Sequence, residues 1–228
     1  MSIRFILSDI GDVLVRIRRF HREEQLAKRY GLDQQEVRQV VYFEGERMRA
    51  FERGDVPWHV YREVTLQRLA QIGAQLEPDA PAHFTRIWRE LLQEPILPVA
   101  RLWMALGRHM NIVSASNIDS QSYESGVAPH PMVANLFHHH THSYRLGRRK
   151  GDPDYFIKLR RQLGAQPEQC FFVDDMPEHV TAARAHGIPS FCFDKIDAAT
   201  ICELKARLIE AGVPSEFVTG SSFNFAPC

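Results

Sequence analysis

Four short apolar runs, three of them meeting a polar residue at or just past the end, limit what this chain can fold into. Arg4-Phe-Ile-Leu-Ser8 leads into Asp9, the run 110–114 closes on Ser114, the run 170–173 leads into Asp174 and Asp175, and 190–193 reads as a further strand. Runs of this length and composition suit strands buried on both faces, and such strands belong to parallel sheets. Helical spacing separates them, over 98–108, 152–163, 177–186 with Gly187 as its stop, and 196–212. A further strand is expected at 139–143. Alternation of this kind predicts an α/β fold with a doubly wound parallel sheet.

In such a sheet the C-terminal strand ends open on one edge, so residues far apart in sequence converge there. Asp9, Ser114, Asp174 and Asp175 all lie at those ends, and Lys150 stands at the start of a predicted helix. Their chemistry suits phosphoryl transfer. Asp9 can attack phosphorus as a carboxylate nucleophile, splitting one hard displacement into two easier ones. Attack on an anion needs charge neutralisation, which Mg²⁺ held by Asp9 and the acidic pair would supply. Lys150, the Ser114 hydroxyl and backbone N–H groups after that strand would hold the remaining phosphoryl oxygens.

After the first strand, helical periodicity runs for about eighty residues with hardly a strand signal. The expected division is therefore an α/β core from 1–15 and 96–228, with a helical insertion at 16–95. Within the insertion Asp33-Gln-Gln-Glu36 reads as a capping box, Pro57 is placed to open a helix, and Phe84, Ile87, Trp88, Leu91 and Leu92 form one apolar face. Tyr42, Phe43, Arg47 and Trp58 are candidates for lining a substrate pocket, with core packing the competing role for Phe43 and Trp58. The run Arg16-Ile-Arg-Arg19 lies where the chain leaves the core, and is either a greeting for an anionic substrate or a solvated entrance.

At 228 residues, 44% of them hydrophobic and 25% charged, the chain can bury a sizeable core. Lys plus Arg and Asp plus Glu balance at 28 each, so no net positive field recruits nucleic acid or an anionic membrane. No leader pattern or membrane-spanning run is seen, and a cytoplasmic location is expected. Cys170, Cys192, Cys202 and Cys228 show no Cys-x-x-Cys spacing and read as reduced thiols. The four imidazoles of His138-His139-His140-Thr141-His142 cannot all meet one ion if the segment is a strand, because alternate residues point to opposite faces.

The motifs, taken in order, resemble the haloacid dehalogenase-like hydrolase superfamily, in the branch with a helical cap inserted after the first motif. The first motif is Phe5-Ile-Leu-Ser-Asp-Ile-Gly-Asp-Val-Leu14, the second Asn111-Ile-Val-Ser-Ala-Ser-Asn117, and the third Gly147-Arg-Arg-Lys-Gly-Asp-Pro-Asp-Tyr-Phe156. The fourth begins Phe171-Phe-Val-Asp-Asp175 and runs to Gly187. Phe51-Glu-Arg-Gly-Asp55 also resembles a turn found in related caps. The resemblance implies a Rossmann-like core and a Mg²⁺-dependent hydrolase of small phosphorylated metabolites. It implies Asp9 as nucleophile, Ser114 with Ala115 and Asn117 around the phosphate, and Lys150 as the cation steadying phosphate and nucleophile. It further implies Asp175 as a direct Mg²⁺ ligand, Asp174 in support, and Gly11 contributing its backbone carbonyl.

One position departs from the family pattern. Most phosphatases of this kind carry a second Asp two residues after the nucleophile to protonate the leaving group, and here that residue is Gly11. General acid–base help is worth about a hundred- to ten-thousand-fold. Asp12, a cap side chain or an easy leaving group would have to cover the gap. Two other readings stand beside the phosphatase: a dehalogenase, which needs no proton donor, and a catalytically weak binding relative. The adjacent carboxylates Asp174 and Asp175 argue against the dehalogenase, since facing Asp9 they would repel without a cation.

Overall fold

The structure is a computed structural model that describes residues 2–219. Its strands are β1 (Phe5–Ser8), β2 (Val15–Ile17), β3 (Leu92–Pro95), β4 (Asn111–Ser114), β5 (His139–His140), β6 (Cys170–Asp174) and β7 (Ser190–Cys192). Five of them form one parallel sheet in the order β5-β4-β1-β6-β7. The alternation along β1 explains its composition: Ile6 enters a core with Trp103 and Leu204, while Phe5 and Leu7 enter a second core with Tyr155, Phe156 and Val180. Both faces are covered by helices, so both faces must be apolar.

The remaining strands, β2 and β3, make a two-stranded antiparallel ribbon that periodicity did not reveal. They are short and carry Arg16, Gln93 and Glu94 among their residues, too little alternation to register. Between them lie α1 (His21–Tyr30), α2 (Gln34–Arg38), a π turn at Gln39–Phe43, α3 (Arg47–Glu52), α4 (Trp58–Gln71) and α5 (Ala80–Arg89). Asp33 caps α2, its carboxylate accepting from the amides of Gln35 and Glu36 at 2.8 and 3.0 Å. These helices close around their own core, which includes Leu26, Phe51, Tyr61, Phe84 and Trp88. The apolar face expected to run on through Leu91 and Leu92 stops with α5 at Arg89: Leu92 opens β3 and packs on the core around Trp103 instead.

After the ribbon come α6 (Leu97–Leu106), α7 (Ser120–Gly126), α8 (Pro131–Ala134), α9 (Ser143–Leu146), α10 (Tyr155–Leu163), α11 (Pro177–Ala185), α12 (Ala198–Glu210) and α13 (Ser215–Thr219). The strand expected at 139–143 stops after His140, and α9 begins at Ser143. Among the described residues no helix is long and apolar enough to cross a membrane. Cys170 and Cys192 are free thiols, as read from their spacing, but Cys202 is disulfide-bonded, against that reading. Cys228 and the end of the C-terminal tail lie outside the described residues.

Candidate active site

Strand register assembles the acidic floor. β1 pairs with β6 so that Ser8 lies level with Val173, which brings the next residues, Asp9 and Asp174, side by side at the sheet edge. The Asp9 amide donates to the Val173 carbonyl at 2.9 Å and so fixes this placement. Asp9, Asp174 and Asp175 each offer a carboxylate oxygen, all within 4.8 Å of one another, an oxygen-only set able to hold a metal ion. Lys150 reaches them from the far side of the chain. Its Nζ donates to Asp9 Oδ2 at 2.7 Å and to Asp174 Oδ2, and the lysine is only 2% exposed.

The loop carrying Lys150 is tied down by Asn117, whose side-chain oxygen accepts the Lys150 amide at 2.8 Å. Asp9 Oδ1 accepts from the Ile10 amide at 2.6 Å. Asp174 Oδ1 accepts from the Met176 amide and faces His179 Nδ1, each at 2.9 Å. Burial pushes the Asp9 carboxyl up, the Lys150 charge pulls it back, and Asp174 and Asp175 push it further, with a net rise. Burial acts on Asp174 in the same direction, but Lys150 and His179 overcome it and hold that carboxyl below the ordinary range. The floor thus carries one firmly ionised carboxylate and one that binds protons more readily, as expected where like charges crowd. Asp175 also rises through burial and the Asp174 charge, against the Arg19 guanidinium that donates to its Oδ2 at 2.8 Å.

Not every residue expected at this floor stands there. Ser114 is level with Ser8, one residue short of the sheet edge, and is fully buried. Its Oγ lies 3.0 Å from His142 Nδ1 and accepts the Thr141 amide at 3.1 Å, so the hydroxyl is engaged on the flank toward β5 and Ser114 does not line the cavity over Asp9. The Ala115 amide is likewise spent on the Ser8 carbonyl at 2.8 Å. The residues that reach the cavity over Asp9 are the next two, Ser116 and Asn117. Asp12 is also placed elsewhere: its Oδ1 accepts the Ile17 amide at 2.9 Å and its Oδ2 the Arg19 guanidinium at 2.6 Å, and it is not part of the cavity wall. It adopts a left-handed conformation, φ 50°, which Asp tolerates better than most residues. Gly11 lines the cavity, and a Cβ there would run into Ile17 Cδ1.

This cavity holds about 210 Å³. Asp9, Gly11, Ser116, Asn117, Lys150 and Asp175 form its floor, and Arg22, Met48 and Glu52 come from the inserted helices. Tyr42, Phe43, Arg47 and Trp58 do not line it; Trp58 packs on Phe51, Tyr61, Phe84 and Trp88 instead, and Phe43 is exposed. Arg22 is buried in the wall, its guanidinium 3.5 Å from the Trp88 ring centroid, and donates to the Trp88 carbonyl at 3.0 Å and to Ser122 Oγ at 2.7 Å. Glu52 pairs with Arg149, the neighbour of Lys150. Neither Arg22 nor Glu52 was singled out from sequence; the turn after Phe51 and the arginine run before Phe20 were the nearest signals. Of that run, Arg19 meets Asp12 and Asp175, while Arg16 pairs with Glu94 at 3.2 Å. His142 is buried between Tyr123 and Tyr144, with ring centroids at 4.5 and 4.6 Å, while His139 is exposed, and no histidine joins a metal-holding group among the described residues.

Three carboxylates and a buried lysine thus stand together at the edge of a parallel sheet. The chain belongs to the haloacid dehalogenase-like hydrolase family, whose pattern it matches over residues 3–187. A 52-residue stretch is 36% identical to flavin mononucleotide hydrolase 1 of Arabidopsis thaliana, a chloroplast protein; the match spans 23% of this chain and 21% of that relative. The HAD family enzyme bt-2542 of Bacteroides thetaiotaomicron, solved in complex with magnesium and inorganic phosphate, superposes with a TM-score of 0.70 at 19% identity, over 84% of this chain and 94% of that one. The L-2-haloacid dehalogenase of Xanthobacter autotrophicus superposes with a TM-score of 0.61 at 17% identity, covering 95% and 87%. At these identities the solved structures speak to the fold.

Proposed function

We propose that the protein is a Mg²⁺-dependent phosphatase of small phosphorylated metabolites, acting through an aspartyl-phosphate on Asp9. The observation that carries this reading is the clustering of three carboxylates around a buried lysine at the sheet edge. Asp9 and Asp175 would hold the ion directly with the Gly11 carbonyl, and Asp174 would support it while fixing Lys150 and His179. The bound ion supplies charge neutralisation for the phosphoryl group. A carboxylate oxygen of Asp9 forms a bond to phosphorus as the bond to the leaving oxygen breaks, and water then releases phosphate. Lys150, the Ser116 hydroxyl and the Asn117 side chain orient and neutralise the phosphoryl oxygens. Residues 16–95 act as the cap over a core of 1–15 and 96–228, so substrate choice rests with Arg22, Met48 and Glu52. A dehalogenase reading is disfavoured by the acidic trio, because Lys150 and Arg19 together carry less charge than the three carboxylates they meet and leave an excess that a divalent ion would take up.

The relative that hydrolyses flavin mononucleotide supports a phosphomonoester substrate. The test is phosphate release from a panel of phosphomonoesters with Mg²⁺ and with chelator, for the wild type and Asp9→Asn. Metal-dependent turnover that falls to the assay background in Asp9→Asn is expected. Turnover indifferent to chelator, or retained by Asp9→Asn, overturns the reading.

A further inference from the structure

A phosphate ester attacked by Asp9 expels an alkoxide unless some group protonates the departing oxygen, and neither residue 11 nor residue 12 can do so here. Gly11 has no side chain, and Ile17 occupies the space into which one would project. Both Asp12 oxygens are held, by the Ile17 amide and Arg19, away from the cavity. The proton donor has to come from elsewhere on the wall.

Asp119 is on that wall but is saturated. It caps α7, accepting the Ser122 amide at 2.8 Å, the Ser122 hydroxyl at 2.6 Å and the Trp88 indole N–H at 3.3 Å. Both of its oxygens are therefore already occupied by donors from the protein. Glu52 differs in each respect. It ends α3, its side chain is 14% exposed, and it faces the same cavity as Asp9. Its Oε2 meets the Arg149 guanidinium, and no hydrogen bond engages Oε1 among the described residues. Burial pushes its carboxyl up against the pull of Arg149, and the Asp119 charge adds to the rise. An arriving phosphate dianion pushes the same way.

We propose that Glu52 is the general acid and base of this site, an inference that rests on the phosphatase reading above. As a carboxylate oxygen of Asp9 bonds to phosphorus, the bond from phosphorus to the ester oxygen breaks, its electron pair stays on that oxygen, and the Oε1 proton of Glu52 is transferred to it. In the second half, the Glu52 carboxylate takes a proton from the water whose oxygen attacks the aspartyl-phosphate, freeing Asp9 and inorganic phosphate. The acid therefore belongs to the inserted helices and the nucleophile to the sheet. Arg149, one residue before Lys150, pairs with Glu52 and so ties the two halves together.

Leaving-group dependence tests this directly. Full-length wild type, Glu52→Gln and Glu52→Asp are assayed with Mg²⁺ on p-nitrophenyl phosphate, whose leaving group departs unprotonated, and on β-glycerophosphate, whose alkoxide does not. In Glu52→Gln, kcat/KM for the alkyl ester falls about 10²- to 10⁴-fold, and that loss exceeds the loss on the aryl ester at least tenfold. Glu52→Asp, keeping a carboxyl, recovers part of the alkyl turnover. A ratio of the two losses below ten means that Glu52 only braces the cap and overturns the proposal. So does the same selective loss appearing in His179→Gln with Glu52→Gln spared. Wild type without metal-dependent turnover on any phosphomonoester instead removes the phosphatase reading, and the proposal with it. Thermal melting of each variant reports whether it is folded, and Glu52→Gln retains an oxygen for Arg149.

Discussion

Replacing Gly11 by Ala probes whether the space beside the nucleophile has been given over to Ile17. The added Cβ would collide with Ile17 Cδ1 and lie 3.2 Å from Ile17 Cγ1. Gly11 is not among the positive-φ residues, so Ala meets no backbone strain there and the penalty is overlap alone. Overpacking of this kind costs about 1–3 kcal/mol. Removing a glycine from the unfolded chain returns about 0.4–1 kcal/mol. Gly11→Ala should therefore destabilise by roughly 0–2.5 kcal/mol. Ile17→Val lacks Cδ1 and should cost about 0.5–1.5 kcal/mol by itself. In its background the Gly11→Ala change becomes neutral or stabilising, a coupling of about 1–2 kcal/mol between two sites in contact. Urea unfolding of the four proteins under metal-free conditions, with a common m-value, measures this cycle. If the Gly11→Ala penalty is the same in both backgrounds to within about 0.5 kcal/mol, Ile17 does not fill the space and the steric account of the missing acid is wrong.

Two further outcomes follow from the placement of side chains around β4. Ser116→Ala should lose one hydrogen bond to a charged phosphoryl oxygen, about 1.5–3 kcal/mol, and lower kcat/KM by one to two orders of magnitude. Ser114→Ala should instead destabilise the fold by about 1–3 kcal/mol, since the Thr141 amide and His142 lose their partner, and the reverse pattern would return Ser114 to the site. Burial first, then Arg145 and His140, push His142 down to about 3, against an ordinary value of 6.5. The unfolded chain therefore binds a proton at this residue that the folded one refuses. The contribution is complete above pH 6.5 and is lost as pH falls toward 3, with a ceiling of about 5 kcal/mol at 1.36 kcal/mol per unit. Stability curves of wild type and His142→Phe between pH 7 and 4 should diverge over this window, and parallel curves would show that His142 is not the titrating group.

The parts of this molecule legible in its sequence are those where one local rule suffices. A strand buried on both faces must be apolar throughout, so β1, β4 and β6 stand out, and the polar residues just past them mark an edge where Asp9, Asp174 and Asp175 converge. Lys150 belongs to the same class, lying between its neighbouring strand and helix and reaching the edge alone. Ser114 shows where the rule runs out. Counting strand ends treats the last residue of each run as equivalent, but the register sets Ser114 level with Ser8 while Asp9 lies one step further on. The hydroxyl that lines the cavity therefore comes two residues later, from a segment with no strand periodicity. The ribbon of β2 and β3 was hidden for the opposite reason, having too few residues to show a period.

Arg22 and Glu52 could not be found by any local rule, because what distinguishes them is their partners. Arg22 meets Ser122, a hundred positions away, and Glu52 meets Arg149, ninety-seven away. Each contact joins a helix between β2 and β3 to a segment that follows β4, and Arg22 and Glu52 both line the cavity that Asp9 lines. Gly11 and Ile17 connect this to the chemistry. Ile17 lies in the ribbon at the root of the insertion, and its side chain fills the volume that an acid at position 11 would need. A chain whose floor is closed to a local proton donor must find one across the cavity. The glycine that looks in sequence like a missing part therefore points to the insertion, where the partly buried Glu52 lines the same cavity as Asp9.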